Sequence, residues 1–227
     1  MKSTYGQYCP LALAVEVLSK RWTILVISRL LDGCCQFNEI HRGIPRISPS
    51  LLTQRLTELE DYGLIFRQKL QKQRGYSYHL TEAGEALENI VMDMAIWGQQ
   101  WARDMNHEDL DPAFLAWSMH LRMNTQAMPK GRTVIEFLFT GVPQDLDRFW
   151  IVNLDGKVEM CLKNPGYEAD VFVFSDIRDF IEVWRGFKDI HKHIRTKKII
   201  LRGSPLHVKA FPDWLRMSAL AKYKRLK

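Results

Sequence analysis

The segment 45–84 constrains the fold more than any other part of the chain, because it combines a capped helix with a hairpin. Ser48 is a good N-cap, and Pro49 suits the first helical position, where a missing N–H costs nothing. Leucines then recur at the spacing of one helix face, at Leu52, Leu56 and Leu59. Gly63 is a typical helix end. The pattern predicts a helix of about residues 49–61 that packs its apolar side on a core.

Two short strands follow this helix and are joined by a polar, turn-forming loop. Alternation of apolar and polar side chains predicts the first strand over residues 64–70, and residues 76–80 form the return strand. Between Gly63 and Leu80 no side chain is acidic and four are basic, namely Arg67, Lys69, Lys72 and Arg74. Because phosphate neutralisation supplies most non-specific DNA affinity, this imbalance suits a hairpin that holds the DNA backbone.

A helix followed by a basic hairpin is the order of parts in a winged helix-turn-helix, which grips duplex DNA. A small α/β module with a solvated hairpin is the alternative. Short polar side chains near the start of the helix can reach base edges, and we predict groove contacts from Ser48, Ser50, Thr53 and Gln54. Contacts on or near the DNA backbone are predicted from Arg55, Arg67, Lys69, Lys72 and Arg74.

Upstream of this segment, the periodicity predicts three further helices. Pro10 opens the first, and residues 22–31 are apolar nearly all round, as in a central buried helix. A short helix carries Phe37, Ile40 and Ile44 and is the first helix of the helix-turn-helix. The predicted order is therefore three helices, the recognition helix and the wing.

A longer helix is predicted downstream, from about Glu82 to Asn106, with Thr81 as its cap. Its wide apolar face consists of Leu87, Ile90, Val91, Met94, Trp97, Gly98, Trp101 and Met105. So small a domain has little left to cover such a face, and we predict a homodimer paired through residues 82–106. Packing against the C-terminal half of the same chain is the alternative.

Taken in order, the N-terminal motifs resemble those of HxlR-type winged-helix transcriptional regulators. The matching motifs are Cys9-Pro10, Lys20-Arg21-Trp22, Phe37-Asn38-Glu39-Ile40, Ile47-Ser48-Pro49, Leu52-Thr53-Gln54-Arg55-Leu56, Leu59-Glu60, Gly63-Leu64-Ile65, Tyr78-His79-Leu80-Thr81, Gly84 and Trp97-Gly98. The resemblance covers about residues 5–105 and implies a homodimeric DNA-binding regulator paired through its terminal helices. The wing loop departs from the pattern, because many relatives carry a proline where this chain has residues 71–75.

Some members of that family sense oxidants or electrophiles through a cysteine near the N-terminus, the position that Cys9 occupies here. A cysteine just before a helix lies at the positive end of the helix dipole, which favours the thiolate. A small buried hydrophobe, the usual role of a free cysteine, is the alternative. Both interpretations of Cys9, redox sensor and core residue, stay open at this point.

The polar segment 106–111 before Pro112 marks a boundary and divides the chain into predicted domains 1–106 and 107–227. Beyond it, strand patterns alternate with helices, and Asp155-Gly156 gives a strong hairpin signal. The predicted fold class is α+β: a winged helix-turn-helix with a long dimerisation helix, followed by an α+β domain with a mainly antiparallel sheet.

The C-terminal half also resembles a sterol-carrier-protein-like domain over about residues 112–220. The motifs that carry this resemblance are Asp155-Gly156, Ala169-Asp170-Val171, Arg185-Gly186 and Leu201-Arg202-Gly203-Ser204. It implies a hydrophobic tunnel for a lipid-like or other small apolar molecule, with candidate lining residues Phe137, Phe139, Phe172, Phe174, Phe180 and Trp184. The alternative is that these aromatic side chains form the core, which is their usual role.

Charge and composition limit which of these functions are possible. The net charge is +6, but residues 1–106 hold 12 basic and 11 acidic side chains and are therefore nearly neutral. Electrostatic attraction of this part to DNA must then come from the local cluster of basic residues in the wing. The start lacks a signal peptide core, the apolar run 23–31 is short, and the four cysteines show no disulfide or zinc spacing. These features predict a cytoplasmic protein with no membrane span.

No nucleophile elbow, phosphate loop, dinucleotide fingerprint or zinc-hydrolase helix occurs in the sequence. We therefore predict no enzyme activity, no cofactor and no metal site, and interpret His191 and His193 as a polar helix face. The predicted function is a dimeric, sequence-specific DNA-binding transcriptional regulator, modulated by a small apolar ligand in the C-terminal domain. The rival is a hydrophobic-ligand or lipid carrier whose winged helix makes protein contacts.

Overall fold

A computed structural model describes residues 4–71 and 74–226 of the chain. The chain forms two compact units, Met1–Met94 and Ala95–Lys227. The first contains a winged-helix-like region and the second contains a sheet with helices, which confirms the α+β class. The predicted domain boundary lies later in the chain, after residue 106, and stays a prediction.

The first unit begins with four helices, a hairpin and a short helical turn. These are α1 (Pro10–Leu18), α2 (Thr23–Leu31), α3 (Phe37–Arg42), α4 (Pro49–Asp61), β1 (Ile65–Lys69), β2 (Tyr76–Leu80) and α5 (Glu82–Glu85). Helix α6 (Glu88–Trp101) follows and contains the division between the two units. The predicted order of three helices, recognition helix and wing is confirmed, with α4 as the recognition helix and residues 65–80 as the wing.

The core of the first unit is built around helix α2, whose Val26 and Ile27 are fully buried. The inner face of α4 supplies the leucines that its sequence spacing predicted, Leu52, Leu56 and Leu59. Ile65 at the start of the wing completes this core. Helix α1 contrasts with the others, because none of its residues is buried.

The prediction of one continuous helix from Glu82 to Asn106 was wrong. The chain forms the short helix α5, turns at residues 86–87, and ends α6 at Trp101. Thr81 caps α5 by accepting a hydrogen bond from the Gly84 N–H (3.3 Å). Gly84 lies so close to the backbone at Leu64 that an added Cβ would be 2.2 Å from that carbonyl oxygen. We infer that this tertiary contact ends the first turn, which local sequence patterns do not reveal.

The second unit continues with four α-helices and five strands among its described residues. They are α7 (Pro112–His120), β3 (Arg132–Thr140), β4 (Arg148–Leu154), β5 (Lys157–Cys161), β6 (Val171–Asp176), α8 (Ile177–Trp184), α9 (Ile190–Arg195), β7 (Ile199–Gly203) and α10 (Pro205–Trp214). The sheet order is β5-β4-β3-β6-β7. Among the described residues of this sheet, the β3–β6 pairing is parallel and the other three pairings are antiparallel. This agrees with the mainly antiparallel sheet that the sequence predicts.

The core of the second unit lies between one face of this sheet and helices α7, α8 and α10. Alternate residues of β3 enter it, with Phe137 fully buried. Asp176 caps α8 as its side chain accepts a hydrogen bond from the Arg178 N–H (3.0 Å). His193 of α9 is buried, which corrects its interpretation as part of a polar face. Within residues 4–71 and 74–226, no helix has the length and apolar character needed to span a membrane.

Candidate nucleic-acid interface

Helix α4 is fixed at its N-terminus and along its inner face. Ser48 has extended backbone angles, and its hydroxyl accepts a hydrogen bond from the Leu51 N–H (3.3 Å), as expected of an N-cap. The three buried leucines of α4 hold its inner side against the core. Burial of this face leaves the opposite side of the helix directed to solvent.

The structure brings the four predicted groove residues, Ser48, Ser50, Thr53 and Gln54, together on the exposed side of the first two turns. The hydroxyls of Ser48 and Ser50 lie 3.2 Å apart. Thr53 donates to the Pro49 carbonyl oxygen (2.9 Å), and the Gln54 amide donates to Glu58 (3.2 Å). These are local, solvent-exposed bonds, which the side chains can exchange for bonds to DNA without leaving a buried polar group unpaired.

Arg55 occupies a different position from its neighbours on α4. Its Nε donates to the carbonyl oxygen of Arg21 (2.9 Å), and its Nη1 pairs with Glu58 (2.7 Å). Lys20 also pairs with Glu58 (3.2 Å), and the side chain of Arg55 is only 12% exposed. Arg55 therefore connects the recognition helix to the α1–α2 turn, and its predicted contact with the DNA backbone stays a prediction.

Glu58 is expected to make stability depend on pH in the acid range. Burial raises the pKa of Glu58, but hydrogen bonds from Lys20 and Gln54 and the charge of Arg55 outweigh this effect and lower it below 4.5. A carboxyl with a lowered folded-state pKa stabilises the fold above the unfolded-state value and loses this contribution as pH falls through the folded-state value. Urea titrations should show a stability difference between wild type and Glu58→Gln that is largest above about pH 5 and shrinks in acid. A difference that stays constant with pH would contradict this.

The wing is a regular antiparallel hairpin, with Arg67 opposite Tyr78 and Lys69 opposite Tyr76. Its tip closes through a hydrogen bond from the Leu70 N–H to the Gly75 carbonyl oxygen (3.1 Å). Gly75 has a φ of 121°, which favours glycine at this turn. The hairpin thus has a defined frame on which its basic side chains are carried.

The predicted basic residues of the wing differ in their surroundings. Arg67, Lys69 and Arg74 are exposed, while Lys72 lies outside the described residues. Arg67 lies over the ring of Tyr76 at 4.9 Å and pairs with Glu60 at 3.4 Å. Part of the charge of Arg67 is therefore balanced by the end of α4, so Lys69 and Arg74 are the stronger candidates for phosphate contacts.

Two exposed arginines in the α3–α4 region, Arg42 and Arg46, were missed by the sequence prediction. Arg42 ends helix α3, and Arg46 lies in the turn before Ser48, where His41 Nε2 lies 2.9 Å from the Ile47 carbonyl oxygen. A usable signal was present, because no acidic residue occurs between Ile40 and Thr57. These arginines extend the basic candidate surface beyond the wing.

Cys9 is exposed and directly precedes helix α1. Its side chain makes no capping hydrogen bond to the helix within the described residues. Exposure meets one requirement of a reactive thiol, and the sensor assignment stays a prediction.

The six aromatic residues predicted to line a tunnel lie on two faces of the sheet. Phe137, Phe139 and Phe180 form a packed ring cluster in the core, with centroids 5.4 to 6.2 Å apart. Trp184 is buried in the same core. Phe172 and Phe174 alternate along β6 with the buried Val171 and Val173, and so point to the opposite face. The lining of an apolar tunnel by these six residues stays a prediction.

Comparisons with known proteins concern the N-terminal part of the chain. Residues 17–106 match a family model described as HxlR-like helix-turn-helix. YvaP of Bacillus subtilis (strain 168), named as an uncharacterized HTH-type transcriptional regulator, is 35% identical over 112 residues, which are 48% of this chain and 96% of YvaP. The HTH-type transcriptional regulator YodB of the same organism is 40% identical over 95 residues, which are 41% of this chain and 85% of YodB.

Solved structures give matches over the same part. The reduced form of the transcriptional regulator YodB from B. subtilis is 37% identical, with a TM-score of 0.38, and covers 44% of this chain and 100% of that one. The redox regulator HypR in its reduced form is 35% identical, with a TM-score of 0.37, and covers 40% of this chain and 90% of that one. These proteins thus correspond to less than half of this chain.

Proposed function

The chain belongs to the HxlR-like helix-turn-helix family, and from this membership we propose that it is a cytoplasmic, homodimeric regulator that binds double-stranded DNA at specific sequences. Its relatives are HTH-type transcriptional regulators, a class of proteins that are not enzymes. The observation that carries the proposal is the exposed polar first half of α4 beside a basic wing. The helix reads the major groove, and the wing and nearby arginines bind phosphates.

The experiment that tests sequence-specific binding begins with capture of genomic DNA fragments by the purified full-length protein. Gln54→Ala is then expected to weaken binding to the captured operator by about 1–3 kcal/mol, because an amide on a groove-facing helix contributes about this much discrimination. Fluorescence anisotropy with operator and scrambled duplexes measures the effect. Gln126→Ala, an exposed position in the second unit, is the matched control. Equal binding of operator and scrambled duplex by the wild type would overturn the proposal.

The proposed dimer is paired through helix α6. An exposed apolar stripe on this helix of the single chain supports the pairing. The stripe consists of Ile90 (48% exposed), Met94 (52%), Trp97 (62%) and Trp101 (45%). Their spacing of four, three and four residues places them on one helix face. Helix α1 also exposes two leucines, Leu11 and Leu13. A patch of this kind marks an interaction site, and a two-fold axis would place two recognition helices in successive major grooves.

Trp97→Asp is expected to convert the dimer to a monomer, because a charge replaces the most exposed aromatic side chain of the stripe. Loss of a large aromatic anchor costs about 2 kcal/mol or more of association free energy. Sedimentation velocity across a concentration series measures the change. Asn89→Asp places a carboxylate at an exposed polar position of the same helix and should leave the dimer intact. A wild-type chain that is monomeric at all concentrations would contradict the prediction.

The proposed regulation has two parts with separate measurements. A sensor role for Cys9 requires that alkylation of this thiol changes operator affinity, and an unchanged affinity excludes it. A small apolar effector in the second unit, as the sterol-carrier-like resemblance implies, requires that a probe such as Nile red binds there and shifts operator affinity. Binding without such a shift counts against coupling, because allostery requires a ligand to distinguish two states.

A further inference from the structure

A cleft of about 610 Å³ in the second unit is lined mainly by charged side chains. Its volume lies within the range of small-molecule sites, roughly 300–1,000 Å³. The cationic lining residues are Arg178, Arg185, Lys188, Lys224 and Arg225. Against these five stand two carboxylates, Asp104 and Glu182, so the formal net charge of the lining is +3.

Arg185 is held in this cleft by a reciprocal pair of hydrogen bonds to a buried glutamine. Its Nε donates to the side-chain oxygen of Gln99 (3.0 Å), and the Gln99 amide donates back to the Arg185 carbonyl oxygen (3.0 Å). Gln99 itself is only 4% exposed, and the guanidinium lies 4.6 Å from the ring centroid of Phe187. In the part of the chain that the structure describes, the two terminal nitrogens of Arg185 have no hydrogen-bond acceptor.

Two of the remaining cations are paired with carboxylates. Lys188 pairs with Asp179 (2.7 Å) and with Glu182. Arg225 pairs with Asp104 (2.9 Å). These two cations therefore help to frame the cleft but have their charges balanced by the protein.

The other cations have neutral partners among the described residues. Arg178 donates to the Met105 carbonyl oxygen (2.7 Å), and Lys224 donates to the Gly186 carbonyl oxygen (3.3 Å). Arg185 is the third cation with a neutral partner, the side-chain amide of Gln99. Burial lowers the pKa of Arg185 and the nearby charge of Arg225 lowers it further, and together these effects outweigh the opposing influence of Glu182 and Asp104. Positive charges gathered in a partly buried cleft are costly unless an anion balances them.

We propose that this cleft binds a small organic anion, whose phosphate or carboxylate group is held by Arg185 together with Arg178 and Lys224. The free terminal nitrogens of Arg185 form the edge of a planar fork that binds oxyanions with two parallel hydrogen bonds. Met105 and Phe187 supply apolar surface for the rest of the ligand. A concave site of this volume fits a small molecule, whereas a DNA duplex is bound by extended basic surfaces. The site is additional to the proposed DNA-binding function.

Isothermal titration calorimetry of the full-length protein, at constant ionic strength and without DNA, tests the site. The probes are phenyl phosphate, benzoate and the neutral benzyl alcohol. Phenyl phosphate or benzoate, or both, should bind, while benzyl alcohol should not, and the comparison of the two anions distinguishes phosphate from carboxylate recognition. Because no DNA is present in this titration, a lack of anion binding would not contradict the DNA-binding proposal. Likewise, a lack of DNA binding would not contradict an observed binding of the anions.

Arg185→Gln is expected to weaken anion binding by at least about tenfold, as for loss of hydrogen bonds between charged groups. Arg195→Gln removes the same charge from an exposed position of α9 outside the cleft and should leave affinity unchanged. Lys224→Gln, which alters only one exposed hydrogen bond, is a second variant in case loss of the Gln99 contact unfolds the first. Equal affinities in all variants, binding of benzyl alcohol as tight as phenyl phosphate, or displacement of phenyl phosphate by a short DNA duplex would overturn the assignment.

Discussion

Replacing Gly84 with alanine is expected to lower the free energy of unfolding by about 2–3 kcal/mol, the cost of overpacking a closely packed site. An added Cβ would lie 2.2 Å from the Leu64 carbonyl oxygen and 2.9 Å from a methyl carbon of Leu80. The oxygen cannot withdraw freely, because it also accepts a hydrogen bond from the Thr81 N–H (3.0 Å). Relief of the clash must therefore disturb the junction between the wing and helix α5.

Gly98→Ala is the matched control for this substitution. An added Cβ at Gly98 meets no atom within 4 Å, and the residue lies inside helix α6. Alanine favours a helix interior over glycine by up to about 1 kcal/mol. Because Gly98 lies on the apolar face proposed for dimer pairing, both glycine variants are made in the Trp97→Asp background, where Gly98→Ala should be neutral or more stable. Urea unfolding followed by circular dichroism, at one protein concentration, compares the two. Similar stability of both variants would show that the close approach at Gly84 is not a constraint.

Reversing the charges at Lys69 and Arg74 is expected to weaken DNA binding by on the order of a thousandfold at low salt. Both side chains are exposed, and within residues 4–71 and 74–226 neither pairs with a carboxylate as Arg67 does with Glu60. Each phosphate contact releases counterions when DNA binds. Replacing both side chains with glutamine should therefore also lower the slope of log affinity against log salt concentration, by an amount that corresponds to about two phosphate contacts. Fluorescence anisotropy against salt concentration measures both quantities, for Lys69→Glu/Arg74→Glu and for Lys69→Gln/Arg74→Gln.

Lys130→Glu/Lys209→Glu is the control for net charge, because it makes the same change at exposed positions of the second unit. It should leave DNA binding nearly unchanged. If the wing and control variants lost affinity equally, the attraction would come from overall charge. If neither lost affinity, the carrier with a protein-binding winged helix would become the better account of the chain.

The recognition helix could be predicted from sequence because its determinants are local. Ser48 caps the helix three residues before its hydrogen-bond donor, and the inward leucines recur at the helical period. The same local reasoning located the wing. Exposure of Thr53 and Gln54 follows directly from burial of the opposite helix face.

Features that depend on distant residues could not be predicted in this way. The hydrogen bond of Arg55 to the carbonyl oxygen of Arg21, 34 positions earlier, is one such feature. The close approach of Gly84 to the Leu64 carbonyl, near the break after α5, is another, and so is the burial of His193 in α9. The cationic cleft draws its basic side chains from positions 178 to 225, and no short motif connects them.

The position of β7 has a consequence for synthesis of the protein. This last strand, Ile199–Gly203, pairs along β6, with Val173 opposite Leu201. Until β7 has left the ribosome, that side of the apolar strand β6 has unpaired main-chain groups, which template pairing with other chains. The first unit can fold earlier, because residues 1–94 are already outside. Protection of the sheet from aggregation is therefore a late event in translation, and premature termination before residue 199 leaves the helix-turn-helix unit attached to an open strand edge.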